Sequence, residues 1–71
     1  MQRFGEKLRT LRQRQGLSIR QLATALEVNA HSHIAKIETG QSHPSADLIL
    51  KIARFFDVSI DQLMKDELEL D

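Results

Sequence analysis

The stretch LSIRQLATALEVNAHSHIAKIETG, residues 17–40, decides the fold of this chain of 71 residues. Ser18 and Gln21 have the spacing of a capping box, which marks the start of a helix. Ile34 and Ile37 lie three residues apart, as on the buried side of a second helix, and a glycine follows at the C-terminal end of that helix. The stretch therefore predicts two short helices joined by a tight turn.

Helical periodicity continues on the N-terminal side of this stretch. Phe4, Leu8 and Leu11 predict a first helix over about residues 3–15, and Gly16 supplies the residue that commonly ends a helix. The chain contains one proline and lacks an alternation of β-branched residues, so strands are not expected.

The C-terminal half contains two further helix starts. Ser45 caps a fourth helix, and a second capping box at Ser59 and Gln62 starts a fifth helix, from Ile60 to at least Lys65. Connections between all the helices are short, which predicts an all-α fold, a compact five-helix bundle. The core-facing residues of the fourth helix are Ile49, Ile52, Ala53 and Phe56.

The length of the chain is sufficient for one domain, which we expect at residues 1–65. Residues 66–71 form either an acidic tail or the end of the fifth helix. In the second interpretation Ile60, Met64 and Leu68 continue one helical stripe, which could pair with a second subunit.

The formal net charge is zero, but the two halves of the chain differ strongly. Residues 1–36 carry seven lysines and arginines against Glu6 and Glu27, which gives +5. Residues 37–71 carry three lysines and arginines against eight acids, which gives −5. A basic half is typical of a surface that binds a polyanion, and a solvated basic helix is the alternative interpretation.

Several classes of function find no support in the sequence. There is no cysteine, no apolar run of the roughly 20 residues that span a membrane, and no signal peptide, so we expect a cytoplasmic protein. No catalytic triad and no phosphate-binding glycine loop is recognisable, so neither an enzyme nor a cofactor is expected. His31 and His33 would lie about 200° apart on a helix, so no metal site is expected.

A capped helix, a tight turn and a second short helix have the geometry of a helix-turn-helix, whose second helix enters the major groove of DNA. If Ile34 and Ile37 face the core, Ser32, Lys36 and Thr39 point roughly the opposite way, at about 100° per residue. Lysine donates to guanine, and serine can donate or accept, so this face suits base edges and phosphates. An ordinary solvated face is the alternative.

Five segments in this order resemble the phage repressor/Cro-like helix-turn-helix family, also called the xenobiotic-response-element family. They are FGEKLRTLRQRQGLS, QLATAL, IAKIETG, PS after a gap of three residues, and LILKIARFFDVSIDQLM. The resemblance covers about residues 4–64 and implies a lambda-repressor-like bundle that binds DNA.

The resemblance also implies roles for individual residues. His31, Ser32 and Lys36, in the third helix, would meet base edges. Arg12 would pair with Glu38 and so fix the first helix against the third. The residues implied in contacts with the DNA backbone are Ser18, Arg20, His33, Thr39, Gln41, Ser42 and His43.

Three positions depart from the family pattern. Glu27 stands where a glycine is usual, in a segment that is one residue longer, and we expect the extra residue to spare Glu27 a positive φ. The N-cap of the third helix is then Asn29 or Ala30. Ile19 replaces a glutamine that frequently contacts phosphate, and Asp57 replaces the glycine that usually follows the fourth helix.

The sequence thus predicts a transcriptional regulator that binds double-stranded operator DNA sequence-specifically, with a recognition helix over about residues 30–38. Because so short a helix contacts only about four to five base pairs, we expect a homodimer on a two-fold operator. The alternative is an antitoxin-type protein-interaction module whose DNA binding serves autoregulation.

Overall fold

Five α-helices lie within residues 2–28 and 31–70, the part of the chain that the computed structural model describes. They are α1 (Phe4–Arg14), α2 (Ile19–Ala25), α3 (His31–Glu38), α4 (Ala46–Phe56) and α5 (Ile60–Met64). The described residues form no strand, and the predicted all-α, five-helix fold is confirmed. None of the described helices is long and apolar enough to cross a lipid bilayer.

Local side-chain caps determine where α2, α4 and α5 begin. Ser18 Oγ accepts the N–H of Gln21 at 3.0 Å, and Gln21 Oε1 accepts the N–H of Ser18 at 2.8 Å. Ser59 and Gln62 repeat this capping box at 3.0 and 2.9 Å. At α4, Ser45 Oγ accepts one N–H of the first turn at 3.2 Å. These bonds satisfy N–H groups that have no partner within the helix, so the three predicted starts are confirmed.

The first four helices end in a shared hydrogen-bond pattern, in which an N–H donates to the carbonyl five residues earlier. This pattern requires a left-handed residue just before the donor. The donor and acceptor pairs are Leu17 and Arg12, Val28 and Ala23, Gln41 and Lys36, and Val58 and Ala53. The left-handed residues are Gly16, Glu27, Gly40 and Asp57, with φ of 69°, 59°, 82° and 55°.

Glu27 therefore has the positive φ that we expected it to avoid, and that expectation is wrong. The reason is the end of α2, where the N–H of Glu27 donates to Thr24 O at 3.1 Å and the N–H of Val28 donates to Ala23 O at 2.8 Å. The second of these bonds requires a left-handed residue at position 27, whatever the length of the turn beyond it.

Replacing Glu27 with glycine is expected to stabilise the fold by about 0.5–1 kcal/mol, since glycine adopts a positive φ without steric cost. The free energy of unfolding in urea measures this change. Ala25→Gly, at the exposed last residue of α2, where φ is negative, is the matched control and should destabilise by about 0.5–1 kcal/mol. A Glu27→Gly variant as unstable as this control would contradict the assigned conformation.

All five helices contribute to one core. α4 supplies the largest share, because its apolar residues recur at spacings of three and four and line one face. α3 packs against both α1 and α2, and α5 packs against α1 and α4. The buried apolar residues are Phe4, Leu8, Leu11, Leu22, Ala23, Leu26, Ile34, Ile37, Leu48, Ile49, Ile52, Ala53, Phe56 and Leu63.

At Gly5, α1 closely approaches the C-terminal end of α3. A Cβ atom built on Gly5 would lie 2.3 Å from the carbonyl oxygen of Ile37 and 2.7 Å from that of Glu38. These atoms belong to the backbone at the end of α3, so they cannot rotate away as a side chain could. The absence of a side chain at Gly5 therefore sets the distance between the two helices.

The C-terminal segment folds back onto α1 and does not continue α5. The helix ends at Met64 and the next residue is extended, so the alternative in which α5 runs on through Leu68 is wrong. The Asp66 carboxylate instead accepts the N–H groups of Arg3 and Gln2, at 2.9 and 3.0 Å. These two bonds, the one from Arg3 foremost, lower the pKa of Asp66 below its usual value. A distant carboxylate thus caps α1, which has no side-chain cap of its own.

Lys7 holds this segment from the inside of the molecule. Its residue exposure is 1%, and its ammonium donates to three carbonyl oxygens, of Gln62 at 2.6 Å, Leu68 at 2.7 Å and Lys65 at 2.8 Å. The carbonyl groups at a helix C-terminus carry partial negative charge, so the ammonium is favoured at the end of α5. Lys7 therefore ties α1 to α5 and to the segment beyond it.

Candidate DNA interface

The outward face of α3 is the centre of the candidate interface. Ser32 and Lys36 are exposed and lie one turn apart, whereas Ile34 and Ile37 on the opposite face have exposures of only 0% and 2%. A serine hydroxyl and a lysine ammonium on one helix face are groups that can contact base edges in the major groove.

The two histidines of α3 flank this face. His31 is exposed and lies about 60° from the buried Ile34 around the helix axis, and His33 is half-buried on the other side. His31 is therefore placed at the edge of the exposed face, and not at its centre. The N-cap of α3, predicted at Asn29 or Ala30, lies outside the described residues.

The hydroxyl groups of Thr39 and Ser18 differ in what they can offer to an anion. Thr39, directly after α3, donates through Oγ1 to Ala35 O and Lys36 O at 3.2 Å each, so its only hydroxyl proton is engaged. Ser18 Oγ accepts the N–H of Gln21, and this bond does not use the serine proton. A phosphate oxygen is an acceptor, so Ser18 is better suited to a phosphate contact than Thr39.

Two exposed segments flank α3. Ser18 and Arg20 are exposed at the start of α2, where they line a shallow surface depression with Gln21 and Thr24. After α3, Gln41 and His43 are exposed and Ser42 is half-buried. The N–H groups of Gln41 and Ser42 donate to Lys36 O at 2.8 and 3.3 Å, which fixes this loop against the end of α3.

An ion pair holds α3 against the rest of the domain. Arg12 donates through Nε to Glu38 Oε2 at 2.7 Å and through Nη2 to Glu38 Oε1 at 3.1 Å. Its Nη1 donates to Leu17 O at 2.8 Å, just before α2. The hydrogen bonds to Glu38 raise the pKa of Arg12, and the Glu38 side chain is fully buried. One guanidinium thus links α1, the start of α2 and the end of α3.

The charge visible at the surface is smaller than the sequence indicates. Lys7 is buried in the carbonyl cage beneath α5, Arg12 is 12% exposed, and Arg3 binds Glu6 and Glu69 at 3.2 and 2.8 Å. The exposed cations among residues 1–36 are Arg9, Arg14, Arg20 and Lys36. Burial thus withdraws Lys7 and most of Arg12 from the surface of the basic half of the chain.

Within the described ranges, no group of three or more His, Asp or Glu side chains is placed to hold a metal ion.

Two packed helices joined by the turn at Glu27, with the second exposing a polar face, define the class of a helix-turn-helix domain. A sequence model of the helix-turn-helix family matches residues 8–63. The chain therefore belongs to this family, and is of the phage repressor/Cro-like type.

Two named proteins are similar to the chain. The HTH-type transcriptional activator BcrR of Enterococcus faecalis is 39% identical over 64 residues, a match that covers 90% of this chain and 31% of that protein. The crystal structure of the restriction-modification controller protein C.AhdI from Aeromonas hydrophila is similar at a TM-score of 0.78 and 35% identity. That match covers 89% of this chain and 94% of the controller protein. The chain thus spans about a third of the length of the activator.

Sequence reasoning missed three residues of α1 that make contacts with distant segments, namely Gly5, Lys7 and Arg9. For Lys7 a signal was present, since it shares the helical stripe of Phe4, Leu8 and Leu11 and so had to be buried with them. The roles of Gly5 and Arg9 depend on how closely α1 approaches α3, and no local pattern encodes that distance.

Proposed function

We propose that this chain is a sequence-specific DNA-binding regulator of transcription, which inserts α3 into the major groove of its operator. The principal support is the exposed pair of Ser32 and Lys36 on a helix whose opposite face is buried and braced by Arg12. Membership of the helix-turn-helix family and the names of both relatives point the same way. We propose the cytoplasm as the location.

The proposed contacts divide into two groups. His31, Ser32 and Lys36 contact base edges, and DNA phosphates are contacted from both sides of α3. The second group comprises Ser18, Arg20, His33, Thr39, Gln41, Ser42 and His43. Of its two hydroxyl groups discussed above, that of Ser18 is better suited to a phosphate than that of Thr39.

Selection of binding sites from random genomic fragments, followed by titration of the enriched site, tests this proposal. Replacing both Ser32 and Lys36 with alanine is expected to weaken binding to that site about 30-fold or more, because each of the two base contacts contributes about 1–3 kcal/mol. Arg54→Ala, an exposed cation on α4 outside the proposed interface, is the matched control and should bind as the wild type does. A folded wild-type protein that enriches no motif would contradict the proposal and favour a protein-interaction module.

We further propose that two copies bind one two-fold operator. A helix as short as α3 reads too few base pairs to specify a site alone. On α5, Ile60 and Met64 lie one turn apart with exposures of 40% and 37%, which provides an apolar surface suited to contact with a second copy.

Replacing Ile60 with asparagine and Met64 with glutamine removes this apolar surface without adding charge. Sedimentation equilibrium is expected to change from dimer to monomer, and affinity for a two-half-site operator should fall about tenfold or more, while binding to a single half-site stays constant. A wild-type protein that is monomeric in solution and on the two-half-site DNA would contradict the dimer.

A further inference from the structure

A second arginine of α1 lies against the buried Glu38 carboxylate. Arg9 Nε is 3.3 Å from Glu38 Oε1, the oxygen that Arg12 Nη2 also contacts. The Glu38 side chain is fully buried and that of Arg12 is 12% exposed, but that of Arg9 is 51% exposed. Arg9 is therefore the outermost member of the three, and the group of two guanidinium ions and one carboxylate has a surplus charge of +1.

Arg9 is not required to satisfy the carboxylate. Arg12 alone supplies a hydrogen bond to each oxygen of Glu38, and its third nitrogen donates to Leu17 O. Arg9 adds a longer contact through Nε, which leaves the two terminal nitrogens of its guanidinium outside that contact. A guanidinium held at Nε by a carboxylate has a fixed plane, and its terminal N–H groups match the geometry of a phosphate.

Arg9 contacts a carboxylate that is connected to both proposed phosphate-contact segments. Glu38 is the last residue of α3 and directly precedes the loop that contains Gln41 and Ser42. Through Arg12, the same carboxylate is linked to Leu17, which directly precedes Ser18. The carboxylate that Arg9 contacts thus lies at the end of the recognition helix and is linked through Arg12 to the start of α2.

We infer that Arg9 is an additional DNA-binding residue, which contacts a backbone phosphate while Glu38 holds its guanidinium in place. This inference rests on the proposed DNA-binding function and extends it to a residue of α1. The role is sequence-independent, because a phosphate contact fixes the position of the protein on the duplex without reading bases. Its signature is the salt dependence of binding, since each neutralised phosphate contributes about 0.9 to the slope of log affinity against log salt concentration.

The test is a titration of the selected operator by the wild type, Arg9→Gln and Arg9→Lys, at several salt concentrations from about 50 to 300 mM. Arg9→Gln is expected to reduce the slope by about 0.9 per bound subunit, with an affinity loss that is greatest at low salt. Arg9→Lys keeps the charge and is expected to keep the wild-type slope. Arg54→Gln, the same substitution at an exposed arginine on α4, should change neither the slope nor the affinity.

The other outcomes would overturn the inference. An Arg9→Gln variant that loses the same factor of affinity at every salt concentration, with an unchanged slope, would make Arg9 a positioning residue that acts through Glu38. A variant with wild-type affinity and slope would make it an ordinary surface residue. A wild-type protein that binds no enriched site would contradict the proposed function itself, so the two failures are distinguishable. Urea unfolding of each variant establishes that the comparison is between folded proteins.

Discussion

Replacing Gly5 with alanine is expected to destabilise the domain by about 3 kcal/mol or more, although alanine is the better helix former by about 1 kcal/mol. The new methyl group would lie 2.3 Å from Ile37 O and 2.7 Å from Glu38 O, and relief requires α1 and α3 to move apart. That movement also stretches the bonds from Arg12 to Glu38. Thermal unfolding measures the effect, and about 3 kcal/mol corresponds to a fall in Tm of roughly 12 °C or more in a domain of this size.

The matched control is the same substitution at Gly16, directly after α1. No atom lies within 4 Å of a Cβ built on Gly16, but its φ is 69°, so the cost there is conformational strain of about 1 kcal/mol. Gly16→Ala should therefore be clearly more stable than Gly5→Ala. If Gly5→Ala were as stable as the wild type, the close approach of α1 to α3 would be contradicted.

Helix starts could be predicted from the sequence because the groups involved are close in the chain. The side chains of Ser18 and Gln21, three residues apart, each accept the backbone N–H of the other residue, and Ser59 and Gln62 do the same. From the residues alone, helix ends could be predicted only where glycine marks them, and the end of α4 at Asp57 followed from the family resemblance. At Glu27 the sequence offered no such mark, and the hydrogen bonds that end α2 impose a positive φ on a residue that does not favour it.

The C-terminal segment shows why local periodicity can mislead. Ile60, Met64 and Leu68 have helical spacing, but Gln62 O, which would accept the N–H of Asp66 in a longer α5, accepts instead from the buried Lys7 ammonium, together with Lys65 O and Leu68 O. A cation enclosed in the core has to find acceptors there, since burying it unpaired costs several kcal/mol. The bond from Lys7 to Gln62 and the bond from Arg3 to Asp66 each join residues more than fifty positions apart in sequence. A helical pattern relates only residues a few positions apart and cannot reveal such contacts.

In the candidate site, too, features set by local helical geometry could be predicted, whereas features set by distant contacts could not. The outward face of Ser32 and Lys36 follows from the positions of Ile34 and Ile37, since helical geometry leaves one exposed side. The pairing of Arg12 with Glu38 was implied only by the family resemblance. Nothing in the sequence distinguished Arg9 from the other cations of α1, because its particular environment is created by a residue 29 positions away.

Replacing Glu38 with glutamine is expected to destabilise the domain by about 3–5 kcal/mol, the typical cost of leaving a buried charge without its partner. The Arg12 guanidinium, 12% exposed, would face a neutral amide in place of a carboxylate that contacts it at 2.7 and 3.1 Å. Natural domains have about 0.05–0.15 kcal/mol of stability per residue, so the loss is a large part of the total. The midpoint and slope of urea unfolding measure it, and an unchanged slope assigns the effect to stability alone.

A double variant, Arg12→Met with Glu38→Leu, separates the stability of the pair from its role in positioning α3. Apolar residues of similar size often replace a buried ion pair without loss, so this variant should recover most of the stability that Glu38→Gln loses. Its affinity for the operator should remain reduced, since the links from α1 to Leu17 O and to the end of α3 are gone. If the double variant binds the operator as tightly as the wild type, the ion pair has no role in aiming the recognition helix, and apolar packing of α3 against α1 and α2 is sufficient.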